Sequence, residues 1–210
     1  MRMLAATSMI ALFAAGAALA QETGEPSFFI TSVGSGDGAN LGGLEGADAH
    51  CASLAEAAGL PARDWRAYLS ATGVNARDRI GDGPWYNAEG VMIAEDLDDL
   101  HGEAPLFTKA TALNEKGETV KGRGDEPNQH DILTGSDAMG MLAMTEAGEP
   151  ATCSDWTGNG AGAANVGHFD RQGGGANPSS LGAAHASRGC SQEDLVGTGG
   201  NGYFYCFAAD

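Results

Sequence analysis

The chain has 210 residues, of which 28 are acidic and 11 are lysine or arginine, so its net charge is −17 at pH 7 with histidine neutral. A surface of this charge repels nucleic acid and anionic lipid headgroups, and we expect neither as a partner. The length suffices for one domain with a sizeable core. The 33 glycines, clustered at 34–46, 158–175 and 197–202, predict long irregular loops.

The first twenty residues have the pattern of a signal peptide. Arg2 precedes an apolar stretch at 4–19, and Ala18 and Ala20 fit the small-x-small rule for cleavage. The apolar stretch is short for a membrane span, and no later stretch approaches the roughly 18 apolar residues that a spanning helix needs. We therefore expect a secreted or periplasmic protein, cleaved near Ala20 and not inserted in a membrane.

The predicted elements after the signal peptide are short. Residues 21–27 are expected to be a flexible N-terminus, and 28–210 to form a single α+β domain. The apolar pattern predicts an opening strand at 28–31 and a helix at 47–58, which ends at the Gly-Leu-Pro sequence 59–61. Further predicted elements are strands at 65–70, 91–94, 131–134 and 203–207, an aromatic turn at 83–87, one or two helical turns at 95–100 and a hairpin at 113–120.

Four cysteines follow the predicted signal peptide: Cys51, Cys153, Cys190 and Cys206. An even number of cysteines in an exported chain predicts two disulfides. The positions favour a nested arrangement in which the first and last cysteines tie the ends of the domain together. Cys51 lies on the apolar face of the predicted helix and is expected to point into the core.

Five segments resemble endostatin, the C-terminal domain of certain collagens, in the same order and at similar spacing. They are CASLAEAAGL at 51–60, WRAYLS at 65–70, ILTGSD at 132–137 with Gly140, CSDW at 153–156 and YFYCF at 203–207. The segments FITS at 29–32 and NLGGLEGAD at 40–48 look closer still to bacterial exported lectin-like proteins, among them leptospiral endostatin-like surface proteins.

This resemblance implies a C-type-lectin-like fold of endostatin type, with short strands, long glycine-rich loops and the pairs Cys51–Cys206 and Cys153–Cys190. It also implies that Trp65 and Trp156 pack in the core. Endostatin's zinc site uses histidines near its N-terminus, whereas residues 21–49 contain none. That zinc site is therefore not expected here.

Such a domain is expected to be a non-enzymatic binding module. Its ligand would be a glycan or the surface of an exported or cell-surface protein, met through the glycine-rich loops and above all through 158–175. A weaker alternative is an enzyme on the same scaffold, because fold alone does not exclude catalysis.

A second alternative is a calcium-dependent lectin. Glu126, Pro127 and Asn128 match the Glu-Pro-Asn motif of sugar-binding C-type lectins, in which the outer two side chains bind both calcium and sugar hydroxyls. Calcium prefers several oxygen ligands, and the candidates are Asp125, Glu126, Asn128 and Asp131, with Asn165 and Asp170 as further ligand-binding candidates. In this chain the motif precedes the strand at 132–137, whereas the ligand loop of the lectins follows the corresponding strand. The competing interpretation is an ordinary polar turn.

The five histidines are His50, His101, His130, His168 and His185, and no two have the spacing of a metal-ligand motif. His168 and Asp170 could approach one another, but this proximity assigns no catalytic dyad. The glycine-rich sequence 197–202 matches GxGxxG, yet it precedes a strand and is predicted to be a loop. The sequence therefore predicts no catalytic residue.

Overall fold

The computed structural model describes residues 23–102, 106–170, 181–182 and 184–210. The predicted signal peptide and part of the 158–175 loop lie outside these residues. The architecture is α+β. The strands are β1 (Phe28–Ile30), β2 (Trp65–Ala67), β3 (Trp85–Tyr86), β4 (Met92–Ala94), β5 (Asp131–Leu133), β6 (Asn165–His168), β7 (His185–Ala186) and β8 (Gly200–Ala208). The helical segments are α1 (Gly43–Ala58), α2 (Leu97–His101), α3 (Cys153–Trp156), α4 (Gln192–Thr198) and a 3₁₀ turn at Ala76–Arg79.

The nine-residue strand β8 organises the main sheet. The strand order is β1-β8-β5-β6-β7, and β2 also pairs with β8. β1 and β2 run antiparallel to the C-terminal half of β8, whereas β5 runs parallel to its N-terminal half. β3 and β4 form a separate two-stranded sheet.

Alternate residues of β8 enter two different hydrophobic clusters, because successive side chains of a strand point to opposite faces. Phe204 and Cys206 join a cluster with residues of α1, Trp65 and Trp156. Tyr205 and Phe207 join an aromatic cluster on the other side. The strand β8 is therefore buried on both faces, and Trp65 and Trp156 are core residues as expected.

Both expected disulfides are present. Cys51 of α1 is bonded to Cys206 of β8, with the two Cα atoms 5.7 Å apart. Cys153 is bonded to Cys190, with the Cα atoms 5.8 Å apart. The first bond ties the helix to the central strand, and the second ties α3 to the segment between β7 and α4.

The glycine-rich parts of the chain contain more regular structure than the sequence predicts. α1 begins at Gly43, earlier than the predicted start at 47. β6 lies inside the predicted 158–175 loop, and β7 and α4 were not predicted. The predicted turn at 83–87 contains β3, which pairs with β4. Glycine lowers intrinsic preference for helices and strands, but pairing with neighbouring strands overrides this preference here.

The turn α3 is left-handed. All four of its residues have positive φ, between 50° and 66°, a conformation that costs about 1–2 kcal/mol per residue for an L-residue. The bond from Cys153 to Cys190 and a hydrogen bond from Trp156 Nε1 to the Ser70 carbonyl (2.8 Å) hold it in place. Asp155 adds a third contact, since its Oδ1 accepts a hydrogen bond from Thr72 N (2.9 Å).

Within the part of the chain that the structure describes, no helix has the length and apolar character needed to cross a membrane.

We expect loss of Cys51–Cys206, through paired serine substitutions, to lower the free energy of unfolding by about 2–5 kcal/mol. This bond closes a sequence separation of 155 residues, against 37 for Cys153–Cys190. In the loop-entropy model the longer closure stabilises by about 1 kcal/mol more. Urea denaturation of both double-serine variants measures the difference, and an equal or larger loss for the Cys153–Cys190 pair would contradict the expectation.

Candidate metal centre

Three strand ends bring a carboxylate and two imidazoles to one place. Asp131 is the first residue of β5, His168 the last of β6 and His185 the first of β7. Asp131 and His168 are directly paired in the antiparallel β5–β6 register, and His185 pairs with Val166 across β6–β7. The sheet register therefore joins three residues that are far apart in the sequence.

The ligand atoms of these three residues converge. His168 Nε2 lies 2.9 Å from Asp131 Oδ1, and His185 Nε2 lies 3.4 Å from the same oxygen. The two Nε2 atoms are 3.2 Å apart. Zn²⁺ bonds to nitrogen and oxygen of about 2.0–2.2 Å in a tetrahedron imply ligand-to-ligand distances of roughly 3.3 Å. The triangle of Asp131 Oδ1, His168 Nε2 and His185 Nε2 has the size of one tetrahedral face.

The carboxylate of Asp131 is buried, with 2% of the residue exposed. Its Oδ2 has no hydrogen-bond partner among the described residues, although both histidines approach Oδ1. A buried carboxylate oxygen without a partner is costly. A cation at this position would relieve that cost, because a carboxylate can bind metal through either oxygen.

Electrostatics at the centre favour an ionised Asp131 beside His185. Burial acts to raise the pKa of Asp131, but hydrogen bonds and charge from His168 and His185 outweigh it and lower the pKa to about 2. The hydrogen bond with Asp131 raises the pKa of His185 above its ordinary value, against an opposing effect of burial. Without metal, these hydrogen bonds and charges stabilise the carboxylate form of Asp131 within the cluster.

A second histidine–aspartate pair adjoins the three residues. His130 Nδ1 lies 3.0 Å and 3.1 Å from the two carboxylate oxygens of Asp170, and His130 Nε2 lies 3.4 Å from Asp131 Oδ1. Asp170 also accepts a hydrogen bond from Arg123 N at 2.5 Å. Burial acts to raise the pKa of Asp170, but the hydrogen bonds from His130 and Arg123 N lower it overall.

Contacts outside the cluster orient its members. His185 Nδ1 lies 3.2 Å from the carbonyl oxygen of Ala186, which directs Nε2 toward Asp131. Asp131 N donates to the Gly199 carbonyl at 3.1 Å, which fixes the start of β5 against the end of α4. Metal-binding histidines commonly donate their second ring N–H to a carbonyl or a carboxylate in this way.

The predicted calcium ligands have different surroundings in the structure. Asp125 binds Lys109 Nζ at 2.5 Å and Gly122 N at 2.8 Å, while Glu126 and Asn128 are exposed. The Glu126–Pro127 peptide bond is cis. Neither of the two groups of His, Cys, Asp or Glu able to hold a metal in the described part of the chain includes Asp125 or Glu126. The calcium site stays a prediction, with Asp131 lying among histidines.

The two further ligand-binding candidates have different surroundings. Asp170 belongs to the cluster, whereas Asn165 lies at the start of β6 and donates from Nδ2 to the Ser136 carbonyl at 2.9 Å. Asn165 therefore contributes to the packing of β6 and not to the group of converging ligand atoms.

Sequence reasoning missed the three histidines His130, His168 and His185, because their separations match no local metal motif. One signal was available. His130 precedes Asp131, and His168 lies two residues before Asp170, so two histidine–aspartate pairs occur at the ends of successive strands. Only the pairing of β5 with β6, and of β6 with β7, places them side by side.

No protein-family model matches this chain, and a search of curated proteins found no match. The interpretation of the cluster therefore depends on its own geometry.

The metal-free cluster predicts a specific dependence of stability on pH. Because the folded-state pKa of Asp131 is lowered from 3.8 to about 2, its stabilising effect is present above pH 3.8 and is lost as the pH falls through about 2. With chelator present, the wild type should be more stable than Asp131→Asn by about 2 kcal/mol at about pH 5, and this difference should vanish near pH 2.

Urea denaturation at both pH values measures this difference. Asp82→Asn, which replaces an exposed loop carboxylate, is the control and should change stability by less than about 0.5 kcal/mol. An Asp131→Asn deficit that stays constant with pH would show that the Asp131–histidine ion pairs do not stabilise the fold.

Proposed function

We propose that this protein is an exported metal-binding domain that holds one divalent transition-metal ion, with zinc the preferred ion, through Asp131, His168 and His185. The observation that carries the proposal is the convergence of three ligand atoms within 3.4 Å of one another, beside a buried carboxylate oxygen without a partner.

The donor set determines which metal class is proposed. Two imidazole nitrogens and one carboxylate oxygen suit Zn²⁺, and they also suit Co²⁺, Ni²⁺ and Cu²⁺. Calcium and magnesium prefer six or more oxygen ligands. The cluster offers fewer oxygens than that, so its chemistry favours a transition metal.

The wider role that we propose is a non-enzymatic binding module with a C-type-lectin-like fold, secreted or periplasmic. The two disulfides support an oxidising compartment, and the α+β architecture with its short strands is compatible with the fold. We infer that the partner is a glycan or the surface of an exported or cell-surface protein. His168 and Asp170 belong to the 158–175 segment in which ligand contacts are expected, so the metal centre would lie next to the recognition surface.

The metal proposal predicts stoichiometric zinc binding by the oxidised mature protein, residues 21–210, prepared without a polyhistidine tag. Isothermal titration with zinc should give one site. Asp131→Asn, His168→Ala and His185→Ala should each weaken zinc binding by about 100-fold or more, because each removes one of three ligands.

His50→Gln is the matched control, since His50 lies on α1 and contacts the Val33 carbonyl outside the cluster. Circular dichroism should confirm that every variant is folded. Zinc binding that survives the three cluster substitutions but fails in His50→Gln would place the site elsewhere and refute the assignment.

The calcium-dependent lectin is the alternative function, and it makes a separate prediction. If Glu126 and Asn128 bind calcium and a sugar, binding on a glycan array should disappear with EGTA, return with calcium and be lost in Asn128→Ala. Asn201→Ala, which changes an asparagine of β8 outside the motif, is the control. Glycan binding that needs neither calcium nor Asn128 would contradict this function, and the motif would then be interpreted as a polar turn.

A further inference from the structure

Three methionine side chains of one short segment are exposed to solvent. The chain has four methionines after the predicted signal peptide, Met92, Met139, Met141 and Met144. Met139, Met141 and Met144 are 48%, 40% and 54% exposed, although methionine is among the residues most often fully buried in folded proteins. The segment 139–144 therefore presents three exposed thioether side chains.

A tight turn brings the backbones of Met139 and Met141 close together. Ser136 and Leu142 form an antiparallel bridge at its base, and Asp137 N donates to the Met141 carbonyl at 2.8 Å. Inside the turn, Asp137 Oδ1 accepts hydrogen bonds from both Met139 N (2.8 Å) and Met141 N (2.9 Å). Because one oxygen atom binds both backbone N–H groups, the two methionine side chains begin at neighbouring points of one loop.

Contacts on the buried side of the turn hold its backbone in place. Gly140, between the two methionines, has a φ of 76°, and a Cβ atom there would lie 2.6 Å from His101 Nε2 and 2.7 Å from Tyr68 Oη. Arg77 donates from N to the Gly140 carbonyl (3.2 Å) and from Nη1 to the Met139 carbonyl (3.1 Å). The backbone of the turn is thus anchored to the protein, while the methionine side chains beside Gly140 stay exposed.

Met144 follows the turn and is the most exposed of the three methionines. Ala143 before it is buried and donates from N to the Gly135 carbonyl at 2.9 Å, and Met144 itself is bridged to Pro150. Met144 lies three residues beyond Met141, a distance of at most about 11 Å along an extended backbone. A methionine side chain is unbranched with three rotatable bonds, so the thioether of Met144 can approach those of the turn.

The donor atoms determine the class of ion that such a group would bind. Thioether sulfur is a soft donor that selects Cu(I), whereas magnesium and calcium prefer oxygen. The segment 136–150 contains three acidic residues and no basic one, which exceeds the charge of the Arg77 guanidinium in contact with the turn. The local charge therefore admits a monovalent cation.

We propose that Met139, Met141 and Met144 form a binding site for a soft monovalent metal ion, Cu(I), with their sulfur atoms as ligands. This inference goes beyond the proposed function and does not depend on the site at Asp131, whose imidazoles and carboxylate suit a divalent ion. Exposed methionines also occur on surfaces that bind protein partners, and the experiment separates the two roles.

Silver(I) is the probe, because it shares the preference of Cu(I) for sulfur and needs no reductant. The oxidised mature protein, residues 21–210, is isotope-labelled at its methionine methyl groups and studied by NMR with excess zinc present to occupy the imidazoles. Titration with silver nitrate in a chloride-free buffer should shift the methyl signals of Met139, Met141 and Met144 until they saturate. The signal of Met92, which lies on β4, should not move.

Methionine-to-leucine variants test the thioether itself, because leucine keeps the apolar volume and removes the sulfur. Met139→Leu and Met141→Leu should each weaken silver binding about tenfold or more, and Met144→Leu about threefold or more, since each removes one soft ligand. Met92→Leu is the matched control and should change silver affinity less than about twofold. Cu(I) kept reduced with ascorbate should give the same order of effects in competition with a coloured chelator.

Methyl signals that stay unchanged in excess silver would overturn the proposal, as would silver binding that survives the double variant Met139→Leu, Met141→Leu. The exposed methionines would then be interpreted as an apolar contact surface. Shifts confined to histidine ring signals would place silver at the candidate metal centre and would also refute the methionine site. If zinc fails to bind but the three methyl signals shift with silver, the zinc proposal is wrong and this one is supported.

Discussion

The central position of β8 is the constraint on which the rest of the structure depends. This strand pairs with β1, β2 and β5 and supplies side chains to both hydrophobic clusters. Cys206 in its C-terminal half is bonded to Cys51 of α1. Small displacements of β8 would therefore disturb the helix, both cores and the strand that carries Asp131. Close packing on both faces leaves such displacements little room.

The candidate metal centre depends on β8 through β5. Asp131 pairs with Gly200 at the start of β8 and with His168 on β6, so its carboxylate lies where a parallel and an antiparallel strand pair meet. The histidines come from strands further from the centre, and β7 contributes only two residues at the edge of the sheet. The carboxylate is thus the rigid member of the centre, and the imidazoles approach it from the less constrained side.

Local sequence patterns predict the strands and helices whose structure depends on residues close together in the sequence. The strands near 28–31, 91–94 and 131–134 and the helix that contains Cys51 follow from apolar periodicity, and the disulfide pairs agree with the resemblance to endostatin. The strand β6 was not predicted, because a glycine-rich segment has no strand preference of its own and gains its structure from pairing with β5. The candidate site was missed for the same reason: His130, His168 and His185 become neighbours only through long-range register. The sequence predicted Asp131 as a calcium ligand and Asp170 as a further ligand-binding residue, because their histidine neighbours could not be placed.

The Cys153–Cys190 bond has a consequence for the order in which an exported chain matures. His185 lies five residues before Cys190, on a strand that, among the described residues, pairs with β6 alone. In a reducing cytoplasm that cysteine would be free, and the pairing of β7 with β6 and the hydrogen bonds of the flanking residues Ala184 and Ser187 would hold β7 beside Asp131. Oxidation after export would tether the segment and bring the second imidazole into position. With the proposed export and the proposed metal site, the protein would acquire its metal outside the cytoplasm, and the composition of the external medium would decide which ion it carries.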